Sequence, residues 1–334
     1  MPSRRSVLAA TLGGLAVTAN PASAGESRLK SLVEEHHKKI TGFRTVGIGA
    51  FRGREQYSVN GDAICQIGSI TKTFTGVALA VASRTGHVSL DDELAQHLPR
   101  RFPAPRGITL KHLATHTSGL PRLPPGMLED PDLDLRDPYA HITEAKLIEA
   151  LTKTTLESEP GTRYSYSNYG AGLLGMALHR DYGAMVHNWI TRPLRLKDIS
   201  LSVTDRRRKV QGYDDKDAAT PDWRMPLLAG MGGLYGTVDD LLRYNRAHIE
   251  KPNPALKLAQ QVHFTDGTNR LGLGWHLFTL PRSGEVVGHD GGTGGFTSIT
   301  AFSPSRHTGV AVIVNKFNVP AEVTNAAVEL LEAL

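Results

Sequence analysis

Residues 67–76 read Ile67-Gly-Ser-Ile-Thr-Lys-Thr-Phe-Thr-Gly76, and they set a serine hydroxyl and a lysine amine one helical turn apart. Apolar residues continue at helical spacing beyond this segment, so the pattern predicts a helix that begins beside Ser69 and ends before Gly86. Side chains three residues apart share a helix face, which allows the Lys72 amine to reach the Ser69 oxygen.

The surroundings of Lys72 favour an unusual charge state. A serine hydroxyl becomes a good nucleophile when a neighbouring base takes its proton, and a lysine is such a base when its pKa is lowered. Lys72 is the only charged residue in the range 63–83, and both burial and a helix N-terminus lower the pKa of an amine. Small Gly76 and Ala80 on the same side would leave room for it. The alternative is a buried helix whose lysine merely extends to water.

A second Ser-x-x-Lys pattern, Ser27-Arg-Leu-Lys30, shows that the spacing alone proves little. It lies among Glu26, Glu34 and Glu35, where nothing would depress the pKa of an amine. We interpret it as a solvated helix face.

The N-terminal residues are typical of an export signal. A charged start containing Arg4 and Arg5 precedes a short apolar run and ends in small residues, which predicts a signal peptide over residues 1–24. The arginine pair leaves the twin-arginine export route open. We therefore expect an exported protein, periplasmic or extracellular, that has no stable membrane span after cleavage.

The composition excludes several classes of protein. The chain has 334 residues, 40% of them hydrophobic, as in an ordinary globular protein. Without residues 1–24 it would keep 36 basic and 33 acidic residues, a net charge of +3 that does not indicate nucleic-acid binding. The single cysteine, Cys65, excludes an internal disulfide and is expected to pack in the apolar approach to Ser69.

Strand-like segments at both ends of the sequence predict the fold class. The middle of the chain reads mainly as helices and loops, including an irregular Pro- and Asp-rich segment over 121–139 that suits a wall or lid over a site. We predict an α+β fold, in which an antiparallel sheet is flanked by N- and C-terminal helices and carries an inserted, mostly helical domain. The expected sheet domain comprises 25–65 and 270–334, the helical domain comprises 66–269, and the active site lies at their interface. The predicted strands are 45–51, 56–59, 273–280, 285–289, 296–302 and 309–315, and the terminal helices are 26–40 and 321–334.

A Tyr-x-Asn pattern offers a partner for the serine. Tyr166 and Asn168 lie in a polar turn just before a predicted helix. The phenol could relay protons between Ser69, Lys72 and a leaving group, and the amide could hold a substrate carbonyl. The competing interpretation is a tyrosine-rich turn that packs its rings.

A glycine-rich segment near the C-terminus offers a second partner. His289, Asp290, Gly291 and Gly292 end a strand-like segment and open a turn where bare backbone can approach a ligand. The N–H of Gly292 could join that of Ser69 as an oxyanion hole. A rival His-x-Gly begins at His307, but it follows a turn in which an exposed histidine needs no function.

Two further patterns have simpler explanations. His112 and His116 are four apart and could bind a metal, but no third ligand is suggested nearby, so structural hydrogen bonding is favoured. Residues 170–175 match the Gly-x-Gly-x-x-Gly dinucleotide fingerprint in letters only, because a polar turn rather than a strand precedes them. Close helix packing explains these glycines better.

With Ser69-x-x-Lys72, Tyr166-x-Asn168 and His289-x-Gly291 in that order, the chain resembles the serine β-lactamase and penicillin-binding-protein superfamily, specifically its class C β-lactamase-like branch. The stretches 112–121, 232–240 and 291–296 extend the resemblance over nearly all of the chain that follows the signal peptide.

This resemblance implies acyl transfer without any metal or organic cofactor. Ser69 would attack a carbonyl, Lys72 and Tyr166 would move its proton, and the N–H groups of Ser69 and Gly292 would hold the oxyanion. Asn168, together with the segment from His289, would bind the substrate, which is a small molecule or a peptide. The acyl-enzyme would then pass to water or to an amine.

The chain departs from the family pattern where the substrate carboxylate is received. Class C β-lactamases have Lys-Thr-Gly in place of His289, Asp290 and Gly291, and the charge of Asp290 disfavours a penicillin or D-Ala-D-Ala carboxylate. Glu322, at the start of the closing helix, acts in the same direction. We expect weak β-lactamase activity at most. Two interpretations remain open. The first is an enzyme, either a D-peptidase, an esterase or a transacylase, and in one form of it Asp290 attracts a substrate amine. The second is a penicillin-binding sensor that stays acylated.

Overall fold

The computed structural model describes residues 21–251 and 253–334, with side chains from Arg28 onward. Residues 1–20 of the predicted signal peptide lie outside the described residues. The proposed cleavage point after Ala24 falls in the first helix, α1 (Pro21–Lys39). The side chain of Ser27 is also outside the described part. Its partner Lys30 is exposed and lies 3.9 Å from Glu34, as expected of a solvated helix face.

An eight-stranded antiparallel sheet forms the centre of the fold, in the order β2-β1-β12-β11-β10-β9-β8-β7. Strands from both ends of the chain meet in it, because β1 pairs with β12 from Val46 opposite Val314 to Arg52 opposite Thr308. This topology confirms the predicted α+β fold. Its strands are β1 (Val46–Arg52), β2 (Glu55–Val59), β7 (Phe264–Thr265), β8 (Arg270–Leu271), β9 (His276–Leu280), β10 (Gly284–Thr293), β11 (Phe296–Ser303) and β12 (Thr308–Val314), while β3 (Cys65–Gln66) pairs with β6 (Tyr235–Gly236) and β4 (Gly212–Tyr213) pairs with β5 (Ala219–Thr220).

Helices fill the chain between β2 and β7 and close both ends of the fold. One short 3₁₀ turn, Gly68–Ile70, leads directly into α2, and another spans Ala229–Met231. The helices are α2 (Thr71–Arg84), α3 (Leu94–His97), α4 (Leu110–Ala114), α5 (Glu144–Lys153), α6 (Asn168–Leu178), α7 (Tyr182–Val186), a π turn at His187–Thr191, α8 (Arg192–Leu194), α9 (Val238–Glu250), α10 (Pro254–Ala259) and α11 (Pro320–Ala333).

The sheet separates two hydrophobic cores. Side chains alternate along a strand, so in β12 Val310, Val312 and Val314 face α1 and α11, while Ala311 and Ile313 join the larger core that contains α2, α6 and α9. Burial on both faces explains why β12 is apolar throughout. The division into a sheet domain and a helical domain of residues 66–269 remains a prediction. The C-terminal strands of the sheet begin with β7 at Phe264, which is before the predicted boundary at residue 270.

Helix α2 lies inside the larger core, and most of its residues are buried. Gly76 lets a neighbouring loop approach, because a Cβ there would lie 1.9 Å from the Leu273 carbonyl oxygen. The small residue therefore makes room for the backbone of Leu273 and Gly274, whereas the sequence suggested room for the Lys72 side chain. Cys65 is buried as predicted.

Strand β10 is longer than predicted. The sequence places a glycine-rich turn after His289, but the ladder with β11 continues to the pair Thr293 and Phe296. The turn is confined to Gly294 and Gly295, a two-residue glycine loop of the kind that joins hairpin strands. Residues 289–292 consequently lie on a strand.

Over the described residues, no helix has both the length and the apolar character that crossing a membrane requires.

Candidate active site

Ser69 and Lys72 meet as their spacing predicts. The Lys72 Nζ donates to Ser69 Oγ over 2.8 Å and to the carbonyl of Met231 over 2.5 Å. Ser69 lies in the 3₁₀ turn before α2, and Lys72 is in the first turn of that helix, with 2% of its surface exposed.

The environment of Lys72 favours a neutral amine. Burial, followed by the positive charge of Arg122, holds the pKa of Lys72 well below its ordinary value, and the charge of Asp290 opposes them. Its two hydrogen-bond partners are uncharged oxygens, and neither compensates an ammonium as a carboxylate would.

Tight packing of small residues delivers the Met231 carbonyl to Lys72. Gly175 in α6 approaches Gly230 so closely that a Cβ on Gly175 would lie 3.0 Å from the Gly230 Cα. Thr75 Oγ1 in α2 donates to the Gly230 carbonyl over 2.7 Å. The glycines of 170–175 thus serve helix packing, as predicted, and that packing positions a partner of the lysine.

Tyr166 completes the group around the serine. Its hydroxyl is hydrogen-bonded to Ser69, and its ring lies 4.9 Å from Lys72 Nζ. Burial raises the pKa of Tyr166 above its ordinary value, although the Ser69 bond acts in the opposite direction. The phenol is therefore protonated at neutral pH.

The His116 ring packs against the Tyr166 ring. The residue has a left-handed backbone (φ 55°), its ring centre is 4.3 Å from that of Tyr166, and its Nδ1 accepts from the Ser167 backbone N–H over 3.2 Å. Burial holds the pKa of His116 well below its ordinary value, so the ring is neutral. His112 Nδ1 accepts from the backbone of Thr109 at the start of α4. The prediction of structural hydrogen bonding for both histidines is confirmed.

Asn168 is the first residue of α6, capped by Ser167. Its Nδ2 donates to the Tyr139 hydroxyl over 3.4 Å, which links it to the irregular 121–139 loop. The Tyr139 ring in turn lies edge-on to Trp223, with centres 5.5 Å apart. Two loops thus form a wall beside Asn168.

Strand β10 passes directly against the serine turn. A Cβ on Gly291 would lie 2.2 Å from the Ile67 carbonyl oxygen and 3.0 Å from the Ser69 nitrogen, and one on Gly68 (φ 50°) would lie 2.6 Å from the Gly292 nitrogen. Only residues without side chains permit this approach. The backbones that carry the Ser69 and Gly292 N–H groups are therefore neighbours.

His289 and Asp290 differ in exposure because side chains alternate along β10. The His289 side chain is 1% exposed and that of Asp290 is 64% exposed. Burial, reinforced by the nearby His276, lowers the pKa of His289 to about 3. His289 is thus a neutral group under the site, 6.2 Å from Tyr166 between ring centres, while Asp290 is open to a ligand. The rival His307 lies in an exposed turn with φ 52°.

Three residues around Tyr166 and His289 were not identified from the sequence. Arg122 lies over the Tyr166 ring, with its Cζ 5.1 Å from the ring centre. His276 and Tyr164 lie 6.1 Å apart between ring centres, and His276 is 5.1 Å from His289. Arg122 follows Leu120 and Pro121 at the start of the segment predicted to form a wall over the site. A basic residue at that place was the only feature of the sequence that could have indicated its role.

The comparisons with known proteins agree with this geometry. The family model described as Beta-lactamase matches residues 31–334. A D-alanyl-D-alanine-carboxypeptidase/endopeptidase, AmpH of Escherichia coli K12, is 30% identical over 283 residues, which cover 76% of this chain and 71% of that protein. A Beta-lactamase of Yersinia enterocolitica is 24% identical, covering 83% and 80% of the two chains.

Solved structures show the same fold. A class C β-lactamase superposes with a TM-score of 0.81 at 21% identity, covering 93% of this chain and 97% of that one. A β-lactamase/D-alanine carboxypeptidase from Yersinia pestis gives a TM-score of 0.80 at 23% identity, covering 93% and 99%. The chain therefore belongs to the β-lactamase family, as a serine hydrolase that shares its fold with class C β-lactamases.

Proposed function

We propose that the protein is an exported acyl hydrolase or acyltransferase that forms an acyl-enzyme on Ser69. The observation that carries this proposal is the buried Lys72 amine, 2.8 Å from Ser69 Oγ and held toward its neutral form. A neutral amine accepts the hydroxyl proton as the oxygen attacks a carbonyl, which forms the new C–O bond.

Tyr166 and the backbone take the remaining roles. The protonated phenol, bonded to Ser69, passes a proton to the leaving group as the tetrahedral intermediate collapses. The N–H groups of Ser69 and Gly292 stabilise the oxyanion, a role supported by the close approach of β10 to the serine turn. Water or an amine then takes the acyl group, with Lys72 and Tyr166 moving protons in the reverse sense.

The proposed substrates are D-amino-acid peptides, amides or esters, with β-lactams as slow substrates. The similarity to a protein named D-alanyl-D-alanine-carboxypeptidase/endopeptidase supports the peptide class. The exposed charge of Asp290 on β10 supports slow β-lactam turnover, because it opposes a carboxylate at that wall. Export rests on the N-terminal pattern of residues 1–24, and the site would lie between the sheet and helical domains.

Intact mass after incubation with a fluorophosphonate or a penicillin tests the nucleophile. We expect labelling that Ser69→Ala abolishes and that Ser27→Ala, the other Ser-x-x-Lys serine, leaves unchanged. Absence of a Ser69 adduct with both probes would remove the proposal. If the penicillin adduct forms but persists without turnover, the protein acts as a penicillin-binding sensor and not as a hydrolase.

A further inference from the structure

The backbone of Arg122 is held beside the site by hydrogen bonds. Its carbonyl accepts from the Tyr169 N–H over 3.2 Å, and the preceding Pro121 carbonyl accepts from Ser167 Oγ over 2.7 Å. These bonds tie the residue to the start of α6 on either side of Asn168. Arg122 therefore belongs to the wall that carries Tyr166 and Asn168.

The guanidinium of Arg122 has no carboxylate partner in residues 28–251 and 253–334. The four aspartates of its own loop are engaged elsewhere: Asp130 and Asp132 pair with Lys146, Asp134 pairs with Arg136, and Asp137 pairs with Arg224. Arg122 is exposed, and its Cζ lies over the Tyr166 ring, where the π face attracts the cation. A planar, unpaired guanidinium is suited to bind a carboxylate through two parallel hydrogen bonds.

The charge of Arg122 acts on the reacting groups. It lowers the pKa of Lys72 and of Tyr166, and also that of Tyr139, which bonds Asn168. Together with its position over the Tyr166 ring, this places the guanidinium beside the partners of Ser69.

The opposite wall carries the opposite charge. Asp290 on β10 is 64% exposed, and the lowered pKa of the adjacent His289 leaves that ring neutral, so it does not offset the carboxylate charge. A substrate anion is repelled from the strand wall and attracted to the Arg122 wall. By the family resemblance, a D-Ala-D-Ala or penicillin carboxylate would lie on the strand side, so the wall of Asn168 is left for the acyl portion.

We propose that Arg122 binds a carboxylate on the acyl portion of the substrate, so that the enzyme selects anionic acyl donors. This inference rests on the proposed function, since it concerns the group transferred to Ser69. It assigns the two walls to different parts of one substrate: an anionic acyl chain beside Asn168 and a neutral or cationic leaving group beside Asp290.

Two esters with one leaving group test the proposal. Mono-4-nitrophenyl adipate carries a terminal carboxylate on its acyl chain, and 4-nitrophenyl hexanoate is its uncharged counterpart. We expect wild-type protein to have a higher kcat/KM for the adipate ester, mainly through a lower KM. Arg122→Gln should lower the adipate-to-hexanoate ratio by about 10-fold or more, as expected for loss of a charged hydrogen bond.

Controls separate charge recognition from damage to the fold. Arg122→Lys should retain part of the ratio, and Arg136→Gln, in the same loop but paired with Asp134, should retain all of it. The ratio is independent of the folded fraction, because both esters report the same enzyme sample. Added salt should lower the wild-type ratio and leave that of Arg122→Gln nearly constant.

Two outcomes would overturn the inference. One is an Arg122→Gln ratio equal to that of wild type. The other is a change confined to peptides that differ at their C-terminal carboxylate, such as an acid and amide pair, which would assign Arg122 to the leaving group. Either result with intact Ser69 labelling removes the Arg122 inference alone, whereas loss of Ser69 labelling in wild type removes the proposed function.

Discussion

Asp137 accepts two hydrogen bonds from Arg224, one from the backbone N–H over 2.7 Å and one from Nε over 2.6 Å. The carboxylate side chain is 7% exposed while the arginine side chain is 76% exposed. This contact joins the 121–139 loop to the segment that carries Trp223. Because Trp223 packs on Tyr139, the bond to the backbone fixes the wall beside Asn168.

We expect Asp137→Ala to cost about 1–3 kcal/mol of unfolding free energy, since it leaves a half-buried backbone N–H without its acceptor. Arg224→Gln should cost less than about 1 kcal/mol, because its exposed ion pair is weak and the backbone bond remains. Urea unfolding measures both values, and KM should rise only for Asp137→Ala. Equal losses for the two variants would show that the ion pair, and not the backbone bond, holds the wall.

Replacement of the proposed base should separate acylation from binding. An arginine at position 72 stays protonated, so Lys72→Arg should slow acylation by about 10²- to 10⁴-fold, the usual contribution of a general base. In wild type the rate should rise with pH through the lowered pKa of Lys72 and reach its plateau well below pH 10.5, the ordinary pKa of a lysine. Burst kinetics over pH 4–11 would check this. An acid limb that rises only near pH 10 would contradict a neutral Lys72.

The same lysine should reduce stability. Because its pKa is lower in the folded protein than its unfolded value of 10.5, the unfolded chain binds the extra proton between these two pKa values. Stability therefore increases as pH rises through that window. We expect Lys72→Met to be more stable than wild type at pH 7 and to lose this advantage near pH 11, as measured by urea midpoints. Destabilisation at pH 7 would mean that the amine bonds outweigh desolvation.

Two adjacent glycines on β10 provide a matched pair. Gly291→Ala would place a methyl group against the Ile67 carbonyl, whereas the nearest atom to a Cβ on Gly292 is 3.9 Å away. We expect a loss of about 1–3 kcal/mol for Gly291→Ala, as for other overpacked sites. Gly292→Ala should stay close to wild type in unfolding free energy. Similar stability of the two variants would contradict the proposed close approach of β10 to the serine turn.

Removal of the exposed acid should favour β-lactams. Asp290→Asn should raise the penicillin acylation rate by up to about fivefold, a modest gain because exposed charges interact weakly. Asp290 also raises the pKa of Lys72, so the acid limb of the rate should move to lower pH. Glu285→Gln, on the same strand but paired with Arg270, is the control and should change neither property. If Asp290 instead attracts a substrate amine, selectivity for amines should fall in the same variant.

Local spacing made the centre of the site predictable. Ser69 and Lys72 are one helical turn apart, so they meet whatever the rest of the fold does. Asn168 follows Tyr166 by only two residues, so both belong to the same short segment of chain. The buried state of Lys72 was also foreseeable from the absence of other charges in 63–83. The sheet could be predicted because its strands are short, rich in apolar and β-branched residues and separated by turns.

Features that depend on distant packing were not predictable. The Met231 carbonyl reaches Lys72 only because glycines in α6 and near residue 230 meet, and no local pattern encodes that contact. Strand β10 runs on past His289 because pairing with β11 outweighs the poor strand propensity of its glycines. The Gly294-Gly295 pair was the available signal for a tight hairpin.

Cys65 gives the protein an internal reporter of its own opening. It is the sole thiol of the chain, is 5% exposed, and burial raises its pKa to about 12. It lies in β3, four residues before Ser69, and pairs with Gly236 of β6. A chromogenic thiol reagent can therefore react only when this two-stranded sheet of β3 and β6 separates. The rate at which colour develops would report how often β3 and β6, next to the segment that carries Ser69, come apart, without any label being introduced.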